Sequence, residues 1–357
     1  MKDFVVASDI AYKIELGNEY IRVWSGDTNL YEMSSPYLTE HLFQLQMRQI
    51  ADTMWIVHPL YAQRKLTRTT PTTFSLDVIP FNDGPFLIRN DLIDYSPTPA
   101  TMTYGGATAV GSIGTLTCSN DFFDAGHAGS PTQDIVYYGT EVVYYEGDIV
   151  YDFGVDGTGA LMKLIHKRST TVSKCTLPKS KYTGVQPLPY VICAPIDVKG
   201  DFSYTTHGTW NGTIELQRNE NGNMENGVLV WETVKTTVSE NDTNIQLSKV
   251  EDSDNVQYRA VVTEYDTAGG ENNLRADITV NNTTVEGIVR ILQVTSATQA
   301  TCVVIAKLDA ANGNLPTSRW AEGCWSYYRG FPASVTFFED RCIYAGSKAI
   351  PILLETA

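Results

Sequence analysis

The chain has 357 residues, 43% of them hydrophobic, a composition that supplies more than one apolar core and excludes a chain dominated by disorder. Its 26 Lys+Arg against 41 Asp+Glu leave a formal net charge of -15, which argues against a protein that grips nucleic acid by its phosphates but not against a surface that DNA slides past. No apolar run reaches the length of a membrane span, and the opening MKDFVVASDIAYKIELG has no signal-peptide pattern, so neither a span nor an export signal is expected.

Thr, Val, Ile, Tyr and Phe dominate short runs separated by Gly/Asn/Asp/Ser clusters, the signature of sandwiches, barrels or propellers, and the expected class is all-β. YKIELGNEYIRVW predicts a hairpin, with Ile14, Leu16, Tyr20 and Val23 around a tight turn at Gly17-Asn18. One short helix is expected in SPYLTEHLFQLQMRQIADTMWIV, where Thr39 is placed to cap and Leu42, Leu45 and Ile50 fall near one face. The β-branched residues that follow return the chain to strand. FNDGPF, a Gly-Pro turn, closes a first region at 1–88.

Residues 89–188 are Gly/Thr/Tyr-rich with short strands, and 267–320 resume that style; together they read as two halves of a small inserted β domain. Between them, 189–266 carries several strands with Trp210 and Trp231 as core anchors, which suits an immunoglobulin- or fibronectin-like sandwich. The last stretch, 321–357, contains WSYYRGFPASVTFFEDRCIYAGS, a strand pair that needs partners from elsewhere in the chain.

Little in the sequence points to catalysis. Six cysteines, Cys118, Cys175, Cys193, Cys302, Cys324 and Cys342, lack any CxxC or CxH spacing and read as free thiols. The five histidines show no metalloprotease or His-x-His spacing, and the only metal candidate is DFFDAGH, where Asp121, Asp124 and His127 recur every three residues; a turn former beside a surface histidine explains it as well. No G-x-S-x-G occurs, and the glycines of GATAVGSIG precede β-formers, not a helix that would present its N-terminus to phosphate. FEDR at Phe338–Arg341 tempts as a carboxylate site, but Arg341 neutralising Glu339 or Asp340 in a turn accounts for it. IVYYGTEVVYYEGDIVYDF is the densest aromatic run. Period-two alternation there buries one tyrosine of each pair, so Tyr138 and Tyr145 read either as core and subunit contacts or as a glycan platform.

Several stretches, in order, resemble the nozzle or tail tubular protein B family of short-tailed bacteriophages and prophages. The most specific are QIADTMWIVHP with RKLTR, HGTWNGTIELQR, and YRGFPASVTFFEDRCIYAGS. The resemblance implies a partial β-propeller-like body carrying inserted β domains, assembled as an oligomeric ring that guides DNA and contacts other tail proteins. It implies a virion structural protein, not an enzyme, built without a cofactor, assembled in the bacterial cytoplasm and located in the tail. Measured against the family pattern the chain lacks sequence at both ends, so the two propeller remnants are expected either to lack partners or to pair with each other. Trp210, Trp231, Trp325 and Arg341, with Tyr138 and Tyr145, are the residues expected at contacts with partners, and under the alternative binding-module reading the partner is a glycan of a host surface.

Overall fold

The computed structural model describes residues 1–94, 96–129, 157–168, 171–176, 189–220, 222–225, 228–241, 243–265, 273–339, 341–348 and 354–356. Strand makes up 62% of them and helix 4%, as expected of an all-β chain. The chain divides into two compact units: Met1–Leu164 with Ile288–Ile305 and Asn314–Ala357, and Ile165–Gly287 with Ala306–Gly313.

The first unit opens with β1 (Lys2–Ala7), β2 (Ile10–Gly17), β3 (Tyr20–Ser25) and β4 (Thr28–Ser34), an antiparallel meander in which each strand pairs with the next. Alternation buries Tyr12 and Ile14 on β2 and Ile21 and Val23 on β3, with Ile14 opposite Val23. The turn has shifted by one residue from expectation. Gly17 pairs with Tyr20, the connection is Asn18-Glu19, and the positive φ of 62° belongs to Glu19.

A second meander follows: β5 (Gln46–Ile50), β6 (Thr53–His58), β7 (Tyr61–Thr70) and β8 (Thr73–Val78). Here the expected helix fails. Only Thr39–Gln44 is helical, as a 3-10 turn whose N-cap is Leu38 without a side-chain cap, and the rest of the segment is β5. LQMRQI also alternates with period two, and the ladder that β5 forms with β6 gives its backbone groups partners that an isolated, uncapped helix would leave unmet. Leu45 is buried, whereas Ile50, assigned to the same helical face, is exposed.

Phe4, Ile14, Ile21 and Val23 of the first meander pack with Met54, Ile56, Leu66 and Phe74 of the second. Gln49 ties the layers at their rim: its carboxamide accepts from the Val5 N–H (3.1 Å) and donates to the Val5 carbonyl (2.8 Å), meeting an edge strand as another strand would.

After α1 (Asn90–Ile93), the same unit contributes β9 (Met102–Gly105), β10 (Ile113–Cys118) and β11 (Leu161–Lys167), and β11 carries the chain into the second unit. The second unit comprises β12 (Val172–Thr176), β13 (Tyr190–His207), β14 (Trp210–Glu220), the two-residue ribbon strands β15 (Met224–Glu225) and β16 (Val228–Leu229), β17 (Glu232–Asn241), β18 (Gln246–Tyr265) and β19 (Arg275–Val280). The chain returns through β20 (Thr284–Ser296) to β21 (Gln299–Ala306) and β22 (Trp320–Glu322), and ends in β23 (Ser334–Phe338), β24 (Arg341–Ala345) and β25 (Leu354–Thr356). One six-stranded sheet runs β22-β11-β20-β21-β10-β9, and β23-β24-β25 form a sheet of three.

The strands expected to make a two-sheet immunoglobulin-like sandwich instead form one ladder, β12-β19-β13-β18-β14-β17. NIQLSKV and VQYRAVVTEY are a single strand, β18. Its register against β13 breaks between Val198 and Gly200, and Gly200 (φ 76°) supplies the bend. Each long strand therefore serves two arms of a curled sheet around one core, which holds Phe202, Tyr204, Trp210, Ile214, Tyr258 and Ile278. β12 and β19, assigned by sequence to the flanking domain, are strands of this ladder. Trp210 is a core anchor; Trp231 is not, and its ring instead lies under the Arg259 guanidinium, 4.1 Å from the centroid.

Gly159 illustrates how closely the first unit is packed. A Cβ there would sit 1.9 Å from the Ile291 carbonyl oxygen, a backbone atom that cannot swing aside. Gly159→Ala is expected to lower stability by about 2 kcal/mol or more, read as a lower urea midpoint at unchanged slope.

Candidate functional site

Two stretches that carry the family resemblance meet in one core. Along TMWIV the side chains alternate between faces of the second meander: Met54 and Ile56 enter the core shared with the first, while Trp55 and Val57 face the opposite way. There Val57 and Ala62 pack with Trp325, Phe331, Val335 and Tyr344, and the Trp55 and Phe337 rings meet edge to face at 4.8 Å. The Phe331 N–H donates to the Pro59 carbonyl (2.9 Å), joining the WIVHP turn directly to RGFP. Gly330, at φ 83°, lets its N–H reach back to the Ser326 carbonyl at 2.7 Å. The final strands thus find their cover on the second meander.

The Tyr-Arg of that motif closes a polar clasp over a buried pair. His127 is fully buried and Glu322 is 3% exposed. The His127 Nδ1 accepts from the Asp124 N–H (2.8 Å), which leaves Nε2 as the nitrogen that carries hydrogen toward Glu322 Oε1 (3.2 Å). Arg329 donates to both carboxylate oxygens, Nε to Oε1 at 2.8 Å and Nη2 to Oε2 at 2.5 Å. Tyr328 stacks on the imidazole at 4.3 Å, and its N–H donates to the Gly126 carbonyl. Burial works to raise the Glu322 pKa, but the hydrogen bonds from His127 and Arg329 prevail and the carboxyl lies below its ordinary 4.5. The Arg329 guanidinium is stabilised in return, chiefly by its bonds to Glu322.

This arrangement resolves the metal candidate. The Asp124 carboxylate accepts from the Gly126 N–H (2.9 Å) in a capping box, both His127 nitrogens have protein partners, and Asp121 is exposed. Among the described residues no three His, Cys, Asp or Glu side chains are grouped to hold a metal. The His127 environment is also not that of a general base, since a backbone N–H occupies Nδ1 and a carboxylate faces Nε2. Glu322 was missed in the sequence because its partner lies 195 residues away and no spacing encodes that distance.

The second unit has its own ionic cluster. Arg218 binds Glu251 through Nε (2.8 Å) and Nη2 (3.1 Å), while the Tyr258 hydroxyl (2.7 Å) and the Ser253 N–H (3.1 Å) also donate to that carboxylate. Burial opposes the charge on Glu251, yet the bonds from Arg218 and Tyr258 hold its pKa at about 2.

The remaining predicted contact residues are dispersed. Trp325 is 9% exposed inside the core with Phe81 and Tyr344, and therefore not a surface anchor. It also borders a small cleft with Phe81, Pro85, Gly159 and Phe331, into which Gln63 contributes a buried Oε1 without a hydrogen-bond partner. Arg341 is exposed opposite Phe338; Glu339 takes positive φ in the turn, and among the described residues no ion pair joins it to Arg341. Tyr138 and Tyr145 lie outside the described residues. Cys118, Cys193, Cys302, Cys324 and Cys342 are free thiols.

No family model matches the chain. No curated protein matches it either. Among solved structures it is similar to the crystal structure of the GH31 alpha-xylosidase from Xanthomonas citri, at 9% identity over 85% of this chain and 38% of that one, with a TM-score of 0.16. The chain spans well under half the length of that enzyme, and a likeness so slight carries no argument about fold or activity.

Two changes read out the ionic clusters. Glu322→Gln removes the buried charge that the His127 imidazole and the Arg329 guanidinium address and is expected to cost about 2 kcal/mol near neutral pH, measured by urea unfolding. A depressed carboxyl pKa gives stability that is full above the unfolded value and is lost as pH falls through the folded value. For Glu251 that window runs from 4.5 down to about 2, so Glu251→Gln should lose less stability than the wild type as pH falls through it, the share that remains belonging to the other carboxylates, Glu322 among them.

Proposed function

We propose that the chain is a structural subunit of a phage-type tail nozzle, which assembles with further copies into a ring, contacts other tail proteins and lets DNA pass. The observation that carries this reading is the meeting of WIVHP and RGFPASVTFF in one core. Residues that make the family resemblance specific are spent on holding three sheets together, the use expected of an architectural protein. Each of the first two sheets is a sequential four-stranded meander, the unit from which propeller blades are built.

Surface features support assembly. Ile88, Leu92 and Ile93 around α1 are all exposed, an apolar patch of the kind that subunit contacts cover. The net charge of -15 fits a surface that repels the passing phosphate backbone and does not retain it. Assembly in the host cytoplasm and a place in the virion tail follow from the same reading, and it assigns no catalytic group and no cofactor.

Sedimentation velocity over a range of concentrations, followed by negative-stain imaging, tests the proposal. A closed ring with a central opening is the expected result. A monomer at every concentration that shows strong, salt-sensitive DNA retention would contradict both the assembly and the passive passage.

A further inference from the structure

His41 and His58 form a pair that plays no part in the clasp or the cores. Their ring centroids lie 5.2 Å apart, and the Tyr61 ring sits 5.5 Å from the first and 5.1 Å from the second. His58 is 1% exposed, at the end of β6. Its Nδ1 accepts from the Leu60 N–H (3.1 Å), closing the turn into β7, and its Nε2 faces Gln44 Oε1 (3.3 Å), the last residue of the 3-10 turn. The Tyr61 hydroxyl accepts from the Leu38 N–H (3.2 Å) and donates to His41 Nδ1 (2.7 Å). Through these bonds the segment Thr39–Gln44, which presents the fully exposed Phe43, is held on the β6–β7 turn.

We propose that this pair is a proton-operated latch: neutral His58 holds Thr39–Gln44 against the β6–β7 turn, and protonation of its Nδ1 releases the segment. With Nε2 already carrying a hydrogen for Gln44, an added proton has only Nδ1 to occupy, where it meets the Leu60 N–H donor head on. The turn bond becomes a donor–donor clash in a site closed to water. The new charge also faces His41.

The surrounding groups do little to rescue a cationic His58. On the 3-10 turn, Glu40 lies 3.5 Å from His41 Nε2 and so addresses the outer imidazole. From β7 and the segment before the turn come Tyr61 and buried Tyr37, whose rings meet at 5.3 Å, and Arg64, a further cation acting on Tyr37. Lys348 lies against Gly330, beyond Pro59. No carboxylate among the described residues pairs with His58. Burial first, and the His41 charge second, hold its pKa below 6.5. Because the folded value is depressed, the neutral form stabilises the closed latch fully above 6.5, and that contribution is lost as pH falls from there through the folded value. The latch is independent of the ring proposal, since it acts within one chain.

Hydrogen–deuterium exchange of the full chain, corrected for intrinsic rates, tests it at about pH 7.5 and about pH 5. The Leu38 and Leu60 amides should lose protection roughly tenfold on acidification while amides of β2 and β3 do not change. His58→Gln keeps an acceptor for Leu60 and a donor for Gln44 without a titrating group, and should hold its protection constant across that range. Equal protection of the wild-type segment at both pH values would overturn the latch, as would an undiminished acid response in His58→Gln. If that variant fails to fold, the imidazole carbon shifts of wild-type His58 decide: titration in step with the opening supports the latch, and opening without His58 titration overturns it.

Discussion

The structure of the first unit depends on one sheet being buried on both faces. β6 sends Met54 and Ile56 to one core and Trp55 and Val57 to another, so the second meander is at once the floor of the first meander and the support of the C-terminal strands. A strand in that position has no solvent face, which is why MWIV, Met54 to Val57, is an unbroken apolar run without the hydrophobic–polar alternation of β2. Each face commits it to a different part of the chain, and truncating any of these side chains costs about 2–5 kcal/mol from a core that two sheets share.

The long-range joints follow from that layering. Once Val335 and Tyr344 must reach the far face of the second meander, the chain between β22 and β23 has to turn tightly, and Gly330 with the Ser326 backbone makes the turn. Glu322, at the end of β22, and Arg329, within this turn, then hold it to the loop of His127. A buried carboxylate alone would destabilise the fold; with a bidentate guanidinium and an imidazole N–H it fixes the geometry of the return path. Its value lies in specifying one arrangement more than in net stability, which fits a polar group placed between apolar cores.

What was legible in the sequence was whatever is local. The all-β class, the hairpin at Tyr12–Val23 and the core role of Trp210 follow from alternation and turn residues alone. The helix misread shows the limit: LFQLQMRQI satisfies period 3.6 through Leu42 and Leu45 and period two through Leu45 and Met47, and only the ladder with β6 decides between them. Likewise the strand runs of the second unit were visible, but not that Gly200 bends β13 and that β18 runs unbroken from Gln246 to Tyr265, turning an expected two-sheet sandwich into one curled ladder. His127–Glu322 and His41–His58 are contacts of folding, carried by no motif, and they emerge only when the strands are paired.

A structural subunit distributes function over surfaces, and that changes how the residues of the proposed reading are weighed. In an enzyme the specific motifs surround a cleft and leave their chemistry facing a substrate. Here Trp325 and Phe331 point inward and Trp231 is covered by Arg259, while exposed apolar side chains lie both outside the three stretches, at Phe43 and Ile88, and within them, at Ile50, Tyr328 and Phe338. Within these stretches the buried side chains join sheets to one another, and the exposed ones leave apolar surface at the rims of the same sheets.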